Sequence, residues 1–205
     1  MDATWLKEMG QTSRFAKSVV MNGGDLMVKV TISGHPGSGT STLVNALCKH
    51  YSWSSLNGGD IFRQEAKSRN MSLADFGKLC ADDESVDRSL DSILQQRMLE
   101  PDGPEVMESR LCGWWAYKQE IQCIRIWLEV SDIERARRVV DREGISLDMA
   151  MEMNKARSET DLARFQQMYS LNPSDATPYT HVIDASSLSV EEVVSTAISI
   201  MEDSV

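Results

Sequence analysis

The 205-residue sequence has little that would suit a membrane-spanning, secreted or nucleic-acid-coating protein. No apolar run approaches the roughly 20 residues that a membrane span needs. Positive charge is in deficit: 21 lysines and arginines face 31 aspartates and glutamates, a formal net charge of −10. That balance argues against a broad, non-specific hold on nucleic acid through phosphate neutralisation. Cysteine is sparse, and Cys48, Cys80, Cys112 and Cys123 form no CxxC pair. With no signal-peptide pattern either, free thiols in a reducing cytoplasm are expected, disulfides being the alternative. His35, His50 and His181 have no metal-ligand spacing with one another or with the cysteines, which argues against zinc. There is no GxSxG elbow of the hydrolase kind, no internal repeat and no low-complexity run. What remains, 41% hydrophobic and 25% charged residues, suits one sizeable α/β domain.

The most informative stretch runs from Val28 to Thr42. Val28, Val30 and Ile32 read as a buried strand, and Thr42 to Leu47 begins a helical apolar repeat. Between them lies Gly34-His35-Pro36-Gly37-Ser38-Gly39-Thr40-Ser41-Thr42, with the spacing of the P-loop, GxxxxGK[ST]. Glycines in such a turn let backbone N–H groups approach phosphate oxygens, and the following helix N-terminus favours negative charge. Thr40 stands where the pattern has lysine, and Ser41 stands where a magnesium-binding hydroxyl belongs.

Along the rest of the chain, residues 1–26 read as an extension, flexible or partly helical, and Met27 is a candidate for the true start of the domain. Trp53 to Leu56 can form a short strand ending in the turn Asn57-Gly58-Gly59-Asp60, whose last residue can cap a helix over Ile61 to Arg69. Met71 to Met98 reads as two helices capped by Ser72 and Ser85, stopped by Pro101-Asp102-Gly103-Pro104. Strands follow at Glu105 to Glu108 and Ile124 to Val130. Ser131 caps the next helix, which sets Arg135, Arg138 and Arg142 in one row. Ser146 to Tyr169 is a long helix carrying Arg157 and Arg164 on one face. A last strand, Thr180 to Asp184, precedes a C-terminal amphipathic helix that begins at Ser189. The alternation predicts a five-stranded parallel sheet flanked by helices, with ligands beyond the strands' C-terminal ends.

Phosphoryl transfer needs charge stabilisation around a group whose negative charge is spread over its oxygens, and arginine forks supply it. In an acidic chain Arg63, Arg110, Arg138, Arg142, Arg157 and Arg164 are therefore the candidates, the plainer reading being solvated helix faces. Glu108, at a strand end beside Arg110, can hold magnesium through water or serve as a hydrogen-bonded strand-end carboxylate. Trp114-Trp115 can stack on a base or belong to the core.

Several of these strings resemble the archaeal-type cytidylate kinases: the loop itself, then Gly58-Gly59-Asp60-Ile61-Phe62-Arg63, Met71 to Leu79, Glu108 to Trp114, Arg142 to Ser146, and Arg157 to Phe165. The resemblance covers residues 27–205 and implies a P-loop kinase fold with a helical monophosphate-binding region at 57–104 and a lid at 138–170. It implies a loop without lysine, ATP as donor, magnesium, and CMP or dCMP as acceptor in an in-line transfer. Carried over residue by residue, the loop Gly34 to Thr42 and Arg138 would bind ATP, and Arg63 and Arg110 the acceptor phosphate. Asp60 would lie near the acceptor's sugar or base. Arg142, Arg157 and Arg164 would serve the transferring group, and Ser41 and Glu108 the metal. Ser109 stands where that family usually has glycine. A cytoplasmic monomer is expected, without nucleic-acid or membrane partners. The alternatives are an adenylate kinase-like or other monophosphate kinase, and a nucleotide-binding regulatory protein without catalysis.

Overall fold

In the computed structural model, which describes residues 28–203, the β-branched run at the start of the domain becomes β1 (Val30–Gly34), buried along its whole length. The turn after it feeds α1 (Thr40–Tyr51). Then come β2 (Ser55–Asn57), α2 (Gly58–Ser68), α3 (Leu73–Asp82), α4 (Glu84–Leu99), β3 (Val106–Glu108) and α5 (Cys112–Lys118). The chain ends with β4 (Ile124–Glu129), α6 (Asp132–Glu143), α7 (Leu147–Tyr169), β5 (His181–Asp184) and α8 (Val190–Glu202). The extension expected at 1–26, and Met27, lie outside the described residues.

The five strands are all parallel, in the order β2-β3-β1-β4-β5, as the alternation of strands and helices predicts. Strand alternation sends Val30 and Ile32 to one face, where they join Leu43, Leu47, Ile126, Leu128 and Val193 beneath α1 and α8. On the other face Met107 packs with Phe76, Leu94, Met98, Trp115 and Phe165. Both tryptophans of the 114–115 pair belong to this core rather than to a stacking surface. Register decides what meets at the sheet's C-terminal edge. Asn57 lies opposite Glu108 and Ile32 opposite Glu108, so β2, β3 and the turn after β1 converge on one carboxylate.

Helix starts differ from the sequence reading in two places. The helix after β2 begins at Gly58, not Ile61, because the Asn57 side chain accepts from Gly59 N–H at 2.6 Å and caps it; Asp60 falls inside the first turn. Asp83, not Ser85, caps α4, accepting from the Ser85 N–H at 2.9 Å. Ser72, Ser146 and Ser189 cap as expected, the last with Glu192 in a reciprocal capping box. Ser131 occupies the N-cap of α6 without a side-chain bond. Helix α7 runs unbroken for 23 residues, and its distal end, Phe165 and Met168, is anchored in the core.

Candidate active site

One cavity of about 880 Å³ opens along the C-terminal edge of the sheet, lined by the whole turn His35 to Thr42. Two glycines permit the turn: Gly37 and Gly39 have φ of +85° and +88°, which side-chain-bearing residues rarely adopt. At Gly37 a Cβ would also press on the Arg135 carbonyl at 3.0 Å.

Three arginines brace the turn by alternate carbonyls. Arg110 donates to the Gly34 oxygen at 2.9 Å, Arg135 to that of Pro36 at 3.0 Å, and Arg138 to that of Ser38 at 2.8 Å. Tying these carbonyls aside leaves the amide groups of the loop to a ligand and concentrates positive charge around it. This is where cations stand in a loop whose lysine position is Thr40. Arg135, buried like Ala136 and Val139 of the same helix, is a loop-bracing residue that the arginine row of the sequence contains without marking its role. Burial, together with the charges of Arg135 and Arg110, lowers the pKa of His35, so its imidazole faces the cavity uncharged at pH 7.

Glu108 is buried and has no cationic partner among the described residues. Its carboxylate accepts from the Thr40 hydroxyl at 2.5 Å, from Ser41 at 3.2 Å on both oxygens, and from the Asn57 amide. The donors are neutral, so the negative charge remains available to a cation. Among the described residues no cluster of three or more histidine, cysteine or acidic side chains could cage a metal. A single carboxylate beside a serine hydroxyl fits magnesium, which keeps several waters and shares its shell with substrate phosphates.

From the other side α6 and α7 bring Arg142, Arg157 and Arg164 to the same cavity. Arg142 pairs with Glu143 at its exposed rim at 2.6 Å. Arg164 pairs with buried Asp87 at 3.2 Å and with Asp161 at 3.5 Å. Asp161 also holds Arg110 at 2.9 Å, so one α7 carboxylate ties together two of the cations. Arg157 has no hydrogen bond or ion pair among the described residues, and its pKa is lowered by partial desolvation and the charges of Arg110 and Arg142, against the opposing charges of Asp161 and Glu143. Cations crowded this way are stabilised by a polyanion.

The opposite end of the cavity is lined by Gly58, Gly59, Phe62, Arg63, Leu90 and Leu94, with Asp87 and Asp91. Arg63 is there as expected, but Asp60 is not among the lining residues. Its carboxylate points along the helix surface to Arg63 at 2.5 Å, because α2 starts three residues earlier than its sequence suggests. Asp87 and Asp91, one turn apart on the apolar face of α4, were not singled out from sequence. Their signal was two acids interrupting the Leu90–Leu94 stripe.

Burial drives the carboxyl of Asp91 up to about 6, with help from the Asp87 charge and opposed by the Tyr169 hydroxyl, which donates at 2.9 Å. The folded chain therefore binds this proton more tightly than the unfolded chain. The associated stability is full below pH 4 and is lost as pH rises through 6. Replacing Asp91 with asparagine removes that cost. The variant should resist urea unfolding at pH 7.5 by about 2–3 kcal/mol more than the parent, a gain shrinking below about 1 kcal/mol at pH 4.

The chain matches the family described as "AAA domain" over residues 30–160. It is 40% identical over 150 residues to "Cytidylate kinase" of Halobacterium salinarum, covering 73% of this chain and 77% of that one. It is 35% identical over 182 residues to "Cytidylate kinase" of Methanospirillum hungatei, covering 86% of this chain and 99% of that one. The chain belongs to the cytidylate kinase family. At the level of fold alone, it is similar to a gluconokinase from Sinorhizobium meliloti, with a TM-score of 0.56, 13% identity, and coverage of 88% and 94%.

Ser109, where the resemblance implies glycine, lies in the turn between Glu108 and Arg110. The turn has no need of glycine: Ser109 is not among the residues of positive φ, its N–H donates to Cys112 Sγ at 3.2 Å, and its carbonyl accepts from Ser33 at 2.8 Å. A cytidylate kinase with serine here keeps Glu108 and Arg110 on either side of the turn in the cavity.

Proposed function

We propose that this chain transfers the terminal phosphoryl group of ATP to CMP and dCMP. The observation that carries the reading is a single cavity in which the lysine-free loop and a set of arginines face each other, with Glu108 between them. An acceptor phosphate oxygen attacks the γ-phosphorus, the bond to the β-phosphate bridging oxygen breaks, and ADP and the diphosphate result. The protein supplies positioning and charge, and no protein nucleophile is needed.

In this reading Gly34 to Thr42 and Arg138 hold the donor phosphates, while the apolar slot of Leu188, Val190, Val193 and Val194 receives the donor base. Arg63 and Arg110 hold the acceptor phosphate. Arg142, Arg157 and Arg164 stabilise the transferring group, which requires Arg110 and Arg164 to exchange Asp161 for phosphate oxygens. Ser41 and Glu108 would hold magnesium, largely through water, and when bound it supplies neutralisation of the phosphate charge. Residues 57–104 act as the acceptor-binding segment and 138–170 as the lid, closing to exclude water as a competing acceptor. Among the described residues no helix is long and apolar enough to cross a membrane.

The test is a side-by-side measurement of ADP formation with CMP, dCMP, UMP and AMP. CMP and dCMP should dominate kcat/KM. A dominant AMP rate would reassign the chain to adenylate kinase chemistry, and ATP binding with no phosphorylated product would make it a regulatory binder.

A further inference from the structure

Of the polar groups at the acceptor end of the cavity, only one is both uncommitted and built in at a cost. Asp87 is taken up by Arg164. Asn57 is taken up by Glu108 and by the start of α2. Arg63 is a solvent-reaching cation suited to phosphate. Asp91 is different: one oxygen accepts from Tyr169, the Trp115 indole N–H lies near it short of hydrogen-bond geometry, and no ion pair neutralises it among the described residues. It lines the cavity between Leu90 and Leu94, which with Phe62 make apolar walls suited to a flat ring.

We propose that Asp91 reads the exocyclic amino group of the acceptor base, its second carboxylate oxygen accepting an N–H from an aminopyrimidine. This rests on the reading of the chain as a monophosphate kinase and adds the residue that chooses the base. An ionised carboxylate can only accept. It therefore favours cytosine, which presents an amino group, and opposes uracil, which presents a carbonyl oxygen at the same place. A site built to pair a substrate N–H rejects the analogue that lacks it, because its own buried group is then left unpaired. Adenine also carries an amino group at a corresponding edge, so Asp91 selects amino over oxo bases and leaves ring size to the apolar walls. Tyr169, reaching from α7, is a positioning residue: its hydroxyl occupies Oδ2 of Asp91, which leaves Oδ1 for the base. The groups around Asp91 are Asp87 on α4, Arg164 and Tyr169 on α7, and Arg88, which lies over the Tyr169 ring.

The test uses the whole chain and three acceptors: CMP, UMP, and the monophosphate of pyrimidin-2-one riboside, which has hydrogen where cytosine has its amino group. The parent protein should rank them in kcat/KM as CMP, then the pyrimidinone, then UMP, with the first step about 10- to 100-fold. In Asp91→Asn, whose neutral amide can offer either a donor or an acceptor, the CMP-to-UMP ratio should fall by about 10- to 100-fold. Equal losses with CMP and UMP, the mark of a structural role, would overturn the proposal. So would a parent enzyme that uses the pyrimidinone as well as CMP, a result that needs no variant to fold. A parent that phosphorylates none of the three would overturn the cytidylate kinase reading itself, which is a separate failure.

Discussion

Arg157→Ala should lower kcat with CMP by about 10³-fold or more while changing ATP affinity by only several-fold. Arg157 is the cavity arginine that makes no hydrogen bond or ion pair among the described residues, so no direct carboxylate contact has to break before it meets a phosphoryl oxygen. Its neighbours Arg110 and Arg142 repel it, a repulsion that the charges of Asp161 and Glu143 offset only in part. That repulsion is relieved when negative charge enters the cavity. The charge is most widely spread over the oxygens in the transition state, so the loss should fall on kcat rather than on binding. Arg157→Lys should recover only part of the rate, since an ammonium replaces the fork by a point charge. Single-turnover phosphoryl transfer at saturating ATP and CMP checks this, and an unchanged rate constant in Arg157→Ala would remove Arg157 from the chemistry.

Glu108→Gln should reduce turnover by about 10²- to 10³-fold and raise the magnesium concentration needed for half-maximal rate. The substitution keeps the size of the side chain but removes the negative charge on which three loop and strand donors converge. One position that accepted hydrogen bonds becomes an NH₂ facing Thr40, Ser41 or Asn57, and the unpaired donors add a stability cost of about 1–3 kcal/mol. Magnesium titrations of activity, with urea unfolding alongside, separate the two effects. A variant as active as its parent at the same magnesium concentration would return Glu108 to a purely structural role.

Glu108 and Asp91 differ in how much of their role is legible in the sequence. Glu108 was legible because it ends a short strand in a string beside Arg110, and strand ends in a parallel sheet face the ligand. Asp91 sits mid-helix, where it and Asp87 interrupt an apolar stripe, a signal that marks the two acids as unusual but not what they face. Asp60 shows the reverse error. An aspartate after two glycines is a plausible cap, but Asn57 captures Gly59 first and rotates Asp60 out of the cavity. Arg135 and Arg138 were visible as a row, since i and i+3 share a helix face. That both spend donors on loop carbonyls, at 3.0 and 2.8 Å, was not visible.

The strand, glycine turn and helix at the start of the domain, the parallel sheet and the membership of the cytidylate kinase family were all contained in the order of residues, because periodicity, turn chemistry and short motifs act between near neighbours. The partner of each charged side chain was decided by tertiary structure alone. Arg110 meets Gly34 and Asp161, and Asp91 meets Tyr169, 78 residues away, through strand register and the course of α7 over the sheet edge. Those contacts are set by how whole elements pack, so no local pattern encodes them.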